Sequence, residues 1–119
     1  MAEIQKTKAY DLGERTFRFA ERAFRYFNNL PKTPASIEVA KQGIRAAGSI
    51  GANYIEADEA LSKKDFLMRI KICRKEAKEE IYWLKLSKPI SEQQNECNVL
   101  IQEATELMKI FGSIVVKSR

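Results

Sequence analysis

The chain has 119 residues, of which 45% are hydrophobic and 31% charged, and this balance is typical of one folded domain, residues 1–119, rather than of a disordered protein. The absence of histidine excludes most metal, phosphorelay and triad chemistry, and no apolar run approaches the roughly 20 residues that cross a bilayer. We therefore expect a cytoplasmic protein without cofactor or metal, whose formal net charge of +5 favours an acidic partner.

The first predicted helix spans about residues 11–28, after a loose lead-in at residues 1 to about 10. Its apolar positions fill an arc of roughly 180° on a helical wheel, which is wide enough to contact two neighbouring helices. Four arginines recur on the opposite side at spacings of three, four and three: Arg15, Arg18, Arg22 and Arg25. We expect their guanidinium groups to form one line on the exposed face, the strongest charge signal in the chain.

The second predicted helix spans about residues 34–57, with Thr33 as the N-cap and Pro34 at the first helical position. Small residues recur on one of its faces every four positions. They are Gly43, Ala47 and Gly51, with Gly48 and Ala52 one position further on. Because small side chains let another backbone come close, this face predicts a tight helix crossing in the core. A phosphate-binding loop would need a lysine after the glycines and a preceding strand, and neither is present.

The third predicted helix spans about residues 63–87, with Ser62 and Asp65 as an approximate capping box at its start. One apolar line on it alternates at three and four residues, as expected for the seam of a left-handed bundle. A second apolar line lies about 160° away. Its members are Met68, Ile72, Tyr82, Trp83 and Leu86. A monomeric bundle has little use for this line, so we expect it to form a subunit contact or to pack on another helix of the same chain.

A second basic stripe lies between these two apolar lines, at spacings of three, four and seven residues. It consists of Lys71, Arg74, Lys78 and Lys85. Rows of cations suit phosphate groups, and the planar fork of arginine donates two parallel hydrogen bonds. The two stripes therefore predict a surface for RNA or DNA, against the alternative that they are solvated faces that keep a basic protein soluble.

The fourth predicted helix spans about residues 92–116, with a capping box formed by Ser91 and Gln94. Because the links between the helices are roughly four to seven residues long, helices that follow each other in the chain run antiparallel. The sequence therefore predicts an all-α fold, an antiparallel up-down-up-down four-helix bundle.

The two cysteines, Cys73 and Cys97, lie on the third and fourth predicted helices. Their axial offset is about 15–20 Å, which is too far for a disulfide within one subunit. We therefore expect two buried free thiols.

Residues for catalysis are missing from the sequence. The only dense carboxylate cluster is formed by Glu76, Glu79 and Glu80, and a di-iron bundle would need histidines beside such glutamates. We interpret Lys75 and Glu79 as an ordinary i,i+4 surface pair. The sequence therefore predicts no catalytic residue, and we expect that the protein is not an enzyme.

Several segments carry a resemblance to a known family. They are Arg45-Ala46-Ala47-Gly48-Ser49-Ile50-Gly51-Ala52-Asn53, Ser62-Lys63-Lys64-Asp65-Phe66, Arg74-Lys75-Glu76-Ala77-Lys78-Glu79-Glu80 and Tyr82-Trp83-Leu84. These segments resemble the four-helix-bundle family that is encoded in intervening sequences of bacterial 23S ribosomal RNA genes. Many relatives carry Ala-Glu-Gly after the asparagine, whereas this chain has Tyr54-Ile55-Glu56-Ala57 and resembles a subgroup.

The resemblance implies a bundle that assembles as a ring, a pentamer, and it brings no catalytic residues. A similar fold serves as the accessory protein of diversity-generating retroelements, which binds nucleic acid and a reverse transcriptase. We therefore expect a homo-oligomer that binds RNA or DNA through its basic helix faces. The alternative is a structural scaffold that docks another protein and has no direct role with nucleic acid.

Overall fold

The structure is a computed structural model that describes residues 11–118. It contains four α-helices: α1 Leu12–Asn28, α2 Pro34–Asp58, α3 Lys63–Leu86 and α4 Gln94–Lys117, with a short 3₁₀ turn, Ser91–Gln93, before α4. Every predicted helix is present, and its ends agree with the prediction within two residues. The predicted lead-in at residues 1 to about 10 lies outside the described residues. The prediction of an all-α fold is therefore confirmed.

The starts of α2 and α3 follow the predicted capping chemistry. The Thr33 hydroxyl accepts a hydrogen bond from the Ser36 backbone N–H, at 3.2 Å. The Ser62 hydroxyl accepts one from the Asp65 backbone N–H, at 3.1 Å. Each bond satisfies an amide that has no partner inside its helix, and each therefore defines where the helix begins.

The predicted cap of α4 was wrong. The chain first makes the 3₁₀ turn, in which the side-chain oxygen of Gln93 accepts from the Ile90 backbone N–H at 3.1 Å, and Ser91 caps no helix. The Gln93 side chain also donates to the Asn29 carbonyl at 2.6 Å. This second bond joins the start of α4 to the end of α1.

The four helices pack as an antiparallel bundle in chain order. The Tyr26 and Ser87 hydroxyls hydrogen-bond at 2.6 Å, so α1 and α3 end on the same side of the molecule, where α4 begins. α2 packs on both α1 and α3, and α3 packs on α4, whereas α1 and α4 contact each other only sparsely. The four-helix bundle is therefore confirmed, and of its four neighbouring pairs of helices α1 and α4 are the least closely joined.

The core fills the space between the helices with large aliphatic and aromatic side chains. The largest fully buried ones are Phe27, Ile50, Ile70, Leu84, Leu100, Leu107 and Phe111. Cys73 and Cys97 are buried free thiols within this core, as predicted. No helix within residues 11–118 has the length and apolar character to cross a membrane.

The small residues of α2 form the predicted close crossing with α1. Gly43 lies against the Phe27 ring, and a Cβ atom at Gly51 would lie 3.1 Å from the Thr16 hydroxyl oxygen. The apolar arc of α1 is narrower than predicted, because Phe17 is 62% exposed and Phe24 is only partly covered. The packing of α1 against α2 therefore leaves these two rings at the surface.

Candidate nucleic-acid interface

The arginine stripe of α1, Arg15, Arg18, Arg22 and Arg25, does not form a line of free cations. Arg15 donates two hydrogen bonds to Glu103, at 2.7 and 2.9 Å, and one to Glu106 at 2.8 Å. Its side chain is only 17% exposed, so the prediction that it lies on the exposed face was wrong. The hydrogen bond to Glu103 raises the pKa of Arg15 above its ordinary value. Arg15 therefore joins α1 to α4, two helices that otherwise make few contacts with each other.

Two further arginines of this stripe are also paired. Arg22 makes a bidentate contact with Glu96 of α4, at 2.5 and 2.9 Å. Arg18 is exposed and contacts Glu14 of its own helix at 3.2 Å. Glu96 and Glu103 lie seven residues apart, which puts both on the same face of α4. This spacing was the sequence signal that could have identified the partners of the arginines.

The second stripe, here called the basic face of α3, has a different environment. All four of its residues, Lys71, Arg74, Lys78 and Lys85, are exposed. Among residues 11–118, none of the four forms a salt bridge. This face therefore keeps its positive charge, whereas most of the arginine stripe is neutralised by carboxylates.

Two glutamates of α3, Glu76 and Glu79, do not compensate its basic face because they pair with α2. Arg45 of α2 contacts Glu76 at 3.3 Å and also pairs with Glu79. The predicted surface pair of Lys75 and Glu79 was therefore wrong, since Glu79 pairs with a different helix. A hydrogen bond from the Trp83 ring N–H at 3.0 Å lowers the pKa of Glu79, and the charge of Arg45 acts in the same direction.

Glu80, the third member of the carboxylate cluster, is completely buried. Neither of its carboxylate oxygens has a hydrogen-bond partner among the described residues. Burial raises the pKa of Glu80 to about 9, and the charges of Glu79 and Glu76 act in the same direction against that of Arg45. Glu80 is therefore neutral at pH 7 and adds no negative charge near the basic face. No group of three or more potential metal ligands occurs within residues 11–118.

The basic face extends toward α4. The aliphatic stem of Arg74 lies over Gly112, where a Cβ atom would be 3.7 Å from it. Lys109 is exposed and lies three residues before Gly112, so it occupies the same edge of α4. Sequence reasoning missed Lys109, because only the packing of α3 on α4 brings the two helix faces together.

The second apolar line of α3 is largely at the surface. Met68, Tyr82 and Leu86 are exposed, so packing on another helix is excluded for them within residues 11–118. Trp83 is half-buried, packs against the core and donates to Glu79. Ile72 is also half-buried.

This line also has a gap in its middle. Ile72 and Tyr82 are ten residues apart, which is about 15 Å along the helix. The exposed Lys75 and Lys78 fall in this gap. The predicted contact line is therefore two separate apolar patches, and each of them is bordered by cations.

The comparisons with known proteins agree with the fold. Residues 8–113 match the model of a family described as 23S rRNA-intervening sequence protein. The structure is similar, with a TM-score of 0.77, to a crystal structure from Bacteroides thetaiotaomicron VPI-5482 that is described as a protein with unknown function from the S23 ribosomal protein family. The two are 31% identical, and the match covers 89% of this chain and 96% of that one. Comparison with curated proteins gives no match. Because the family match covers most of the chain, with the first three helices and most of α4, the chain belongs to the 23S rRNA-intervening sequence protein family.

Proposed function

We propose that this protein is a non-catalytic, cytoplasmic homo-oligomer that binds nucleic acid through the basic face of α3. The observation that carries the proposal is the segregation of charge on this helix. The four cations of the basic face are exposed and form no salt bridge among the described residues, while the glutamates of the helix are buried or paired with Arg45. An unneutralised row of cations on a rigid helix attracts phosphate groups without any need for sequence-specific contacts.

The geometry of the row fits a phosphate backbone. Lys71 and Lys85 are fourteen residues apart, which is about 21 Å along the helix and long enough to meet several phosphates. Both ends of the row lie on the same helix, so their separation is set by the hydrogen-bonded backbone rather than by a loop. The arginine stripe is less suitable, because Arg15 and Arg22 would have to leave their glutamate partners on α4.

Self-association is the second part of the proposal. The resemblance implies a ring, a pentamer, and the exposed Met68 with the neighbouring Ile72 supplies apolar surface for a subunit contact. A contact between two different faces of neighbouring subunits closes into a ring when the rotation between them allows it. Light scattering at micromolar concentration measures the mass directly. A monomer mass would refute this part of the proposal.

The binding part of the proposal is tested by fluorescence anisotropy with labelled RNA and DNA over a series of salt concentrations. We expect the logarithm of the affinity to fall linearly with the logarithm of the salt concentration. The double variant Lys71→Gln/Lys78→Gln should lower this slope by about 1.4–1.8, because each lost phosphate contact removes about 0.7–0.9. Both substitutions replace exposed side chains, so stability should change by less than about 0.5 kcal/mol.

The matched control is the double variant Arg18→Gln/Arg22→Gln on α1. It removes the same number of charges from exposed or half-exposed positions whose side chains contact glutamates. We expect it to keep most of the affinity and the slope. If instead only this control loses affinity, the arginine stripe is the binding surface. If the unmodified protein binds neither RNA nor DNA and a defined protein co-purifies with it, the scaffold function is correct instead.

A further inference from the structure

The basic face of α3 contains one large exposed aromatic ring, that of Tyr82. It is 58% exposed, although tyrosine rings usually cover much of their apolar surface. Lys78 and Lys85 lie four residues before it and three residues after it, and both are exposed. Residues at these spacings are neighbours on a helix surface, so the ring lies between two ammonium groups.

The Tyr82 ring is ordered by its contact with the neighbouring Trp83 ring. The Tyr82 and Trp83 rings meet edge to face, with centroids 5.0 Å apart and planes at 76°. Trp83 in turn donates a hydrogen bond to Glu79, and Glu79 pairs with Arg45 of α2. These contacts fix the position of the Trp83 ring. An aromatic ring that is already ordered loses little conformational entropy when a ligand stacks on it.

A similarly exposed ring elsewhere in the molecule has the opposite surroundings. Phe17 of α1 is 62% exposed, but Glu14 and Glu21 lie three residues before it and four residues after it. Carboxylates at these positions repel phosphate groups, although Glu14 also pairs with Arg18. The one carboxylate at such a spacing from Tyr82 is Glu79, which is half-buried and pairs with Arg45. Tyr82 therefore differs from Phe17 in having an exposed lysine on each side of its ring.

We propose that Tyr82 is a stacking platform for a base of single-stranded nucleic acid, with Lys78 and Lys85 on the flanking phosphates. This inference rests on the proposed function. Proteins that bind single strands combine a basic surface with aromatic rings on which bases stack. A duplex keeps its bases stacked on one another, so it offers phosphates to the lysines but no free base face to Tyr82. The ligand class is therefore an unpaired strand rather than a helix.

The test compares labelled 20-nucleotide oligo(dT) and oligo(U) with a duplex of equal length by fluorescence anisotropy. We expect Tyr82→Ala to weaken single-strand binding by about five- to hundredfold, the range found for the loss of one stacked base, and to leave duplex binding unchanged. Its salt slope should stay the same, because stacking releases no counterions, whereas Lys78→Gln should lower the slope by about 0.7. Tyr82→Phe keeps the ring and should restore the affinity.

Phe17→Ala is the matched control, and it should leave the affinity for both single strands unchanged. The chain has one tryptophan, Trp83, so its fluorescence gives a second measurement. Single strands should quench this fluorescence in the unmodified protein because the bound base lies beside the ring pair. A preference for oligo(U) or for oligo(dT) would support the proposal equally and would identify the natural strand.

Three results would overturn the inference and leave the proposed function intact. The first is an equal loss of single-strand and duplex affinity in Tyr82→Ala, and the second is no loss of either, in both cases while Lys71→Gln/Lys78→Gln weakens both. The third is a smaller mass of Tyr82→Ala in light scattering, because Tyr82 would then be a subunit contact. If the unmodified protein binds no nucleic acid of any form, the inference and the proposed function fail together.

Discussion

Gly43 of α2 lies directly against the ring of Phe27 of α1, where even a single methyl group would overlap the ring atoms. Phe27 is fully buried, so a shift of its ring would disturb the side chains packed around it. We therefore expect Gly43→Ala to destabilise the protein by about 1–3 kcal/mol, although alanine is the better helix former by about 1 kcal/mol. Chemical denaturation monitored by circular dichroism measures the change.

Gly48, five residues further along α2, is the matched control for this substitution. A Cβ atom there would meet only the tip of the Phe24 ring, at 3.7 Å, which is an ordinary contact. Gly48→Ala should therefore leave stability unchanged or raise it by up to about 1 kcal/mol. Equal destabilisation by the two alanines would contradict the assignment of the close crossing to Gly43.

Arg15 should contribute more to stability than the other members of its stripe. It is mostly covered and satisfies Glu103 and Glu106 together, so its removal leaves two carboxylates without their partner. We expect Arg15→Met to cost about 1–2 kcal/mol, against less than about 0.5 kcal/mol for Arg18→Met at an exposed position. Urea denaturation of both variants gives the comparison, and similar values would show that the seam between α1 and α4 does not depend on Arg15.

Glu80 should make the protein less stable as the pH rises. Its pKa is about 9 in the folded protein, against an ordinary value of 4.5. Between these two values the folded state holds one more proton than the unfolded state, so the free energy of unfolding falls by up to about 1.4 kcal/mol per pH unit. Glu80→Gln does not titrate. We expect it to match the unmodified protein near pH 4.5 and to be more stable by roughly 1–3 kcal/mol at pH 7.

Glu79→Gln should change the pH dependence of stability in the opposite direction to Glu80→Gln. The Trp83 hydrogen bond lowers the pKa of Glu79, so its ionised form stabilises the fold above the ordinary carboxyl pKa, and this stabilisation is lost as the pH falls through the lowered value. Glu79→Gln should therefore destabilise the protein at pH 7 and lose this effect in acid. Denaturation series at several pH values compare both variants. A Glu80→Gln variant without pH-dependent stabilisation would show that Glu80 is ionised in the fold.

The two thiols should be unreactive in the folded protein. The Cys73 thiol donates to the Ile50 carbonyl at 3.4 Å, and burial raises its pKa to about 12. The Cys97 thiol donates to the Leu84 carbonyl at 3.5 Å within the core. Because thiolate is the reactive form and neither sulfur is accessible, a thiol reagent such as Ellman's should label both cysteines only after denaturation. Rapid labelling of the native protein would show that the core opens.

The helices could be predicted from the sequence because their signals are local. Pro34 and the caps Thr33 and Ser62 act within four residues of themselves, and apolar spacing is set by the geometry of one helix. The spacing of residues along one helix also predicted correctly that the basic face of α3 is exposed. The predicted cap at Ser91 was wrong because Ser91 lies inside a 3₁₀ turn, in which the Gln93 side chain accepts from the Ile90 backbone N–H. Gln93 also donates to Asn29 of a distant segment, a contact that local spacing does not show.

The state of the charges depended on which helices become neighbours. The sequence by itself determined that Arg15, Arg18, Arg22 and Arg25 share one side of α1, but the glutamates that neutralise Arg15 and Arg22 come from α4, more than seventy residues later. In the same way, Glu79 pairs with Arg45 of α2 rather than with Lys75, and Glu80 is completely buried when the helices pack together. Helical periodicity is a property of a single segment, whereas pairing and burial require two segments in contact. Only the tertiary structure therefore decided which of the two basic stripes keeps its charge.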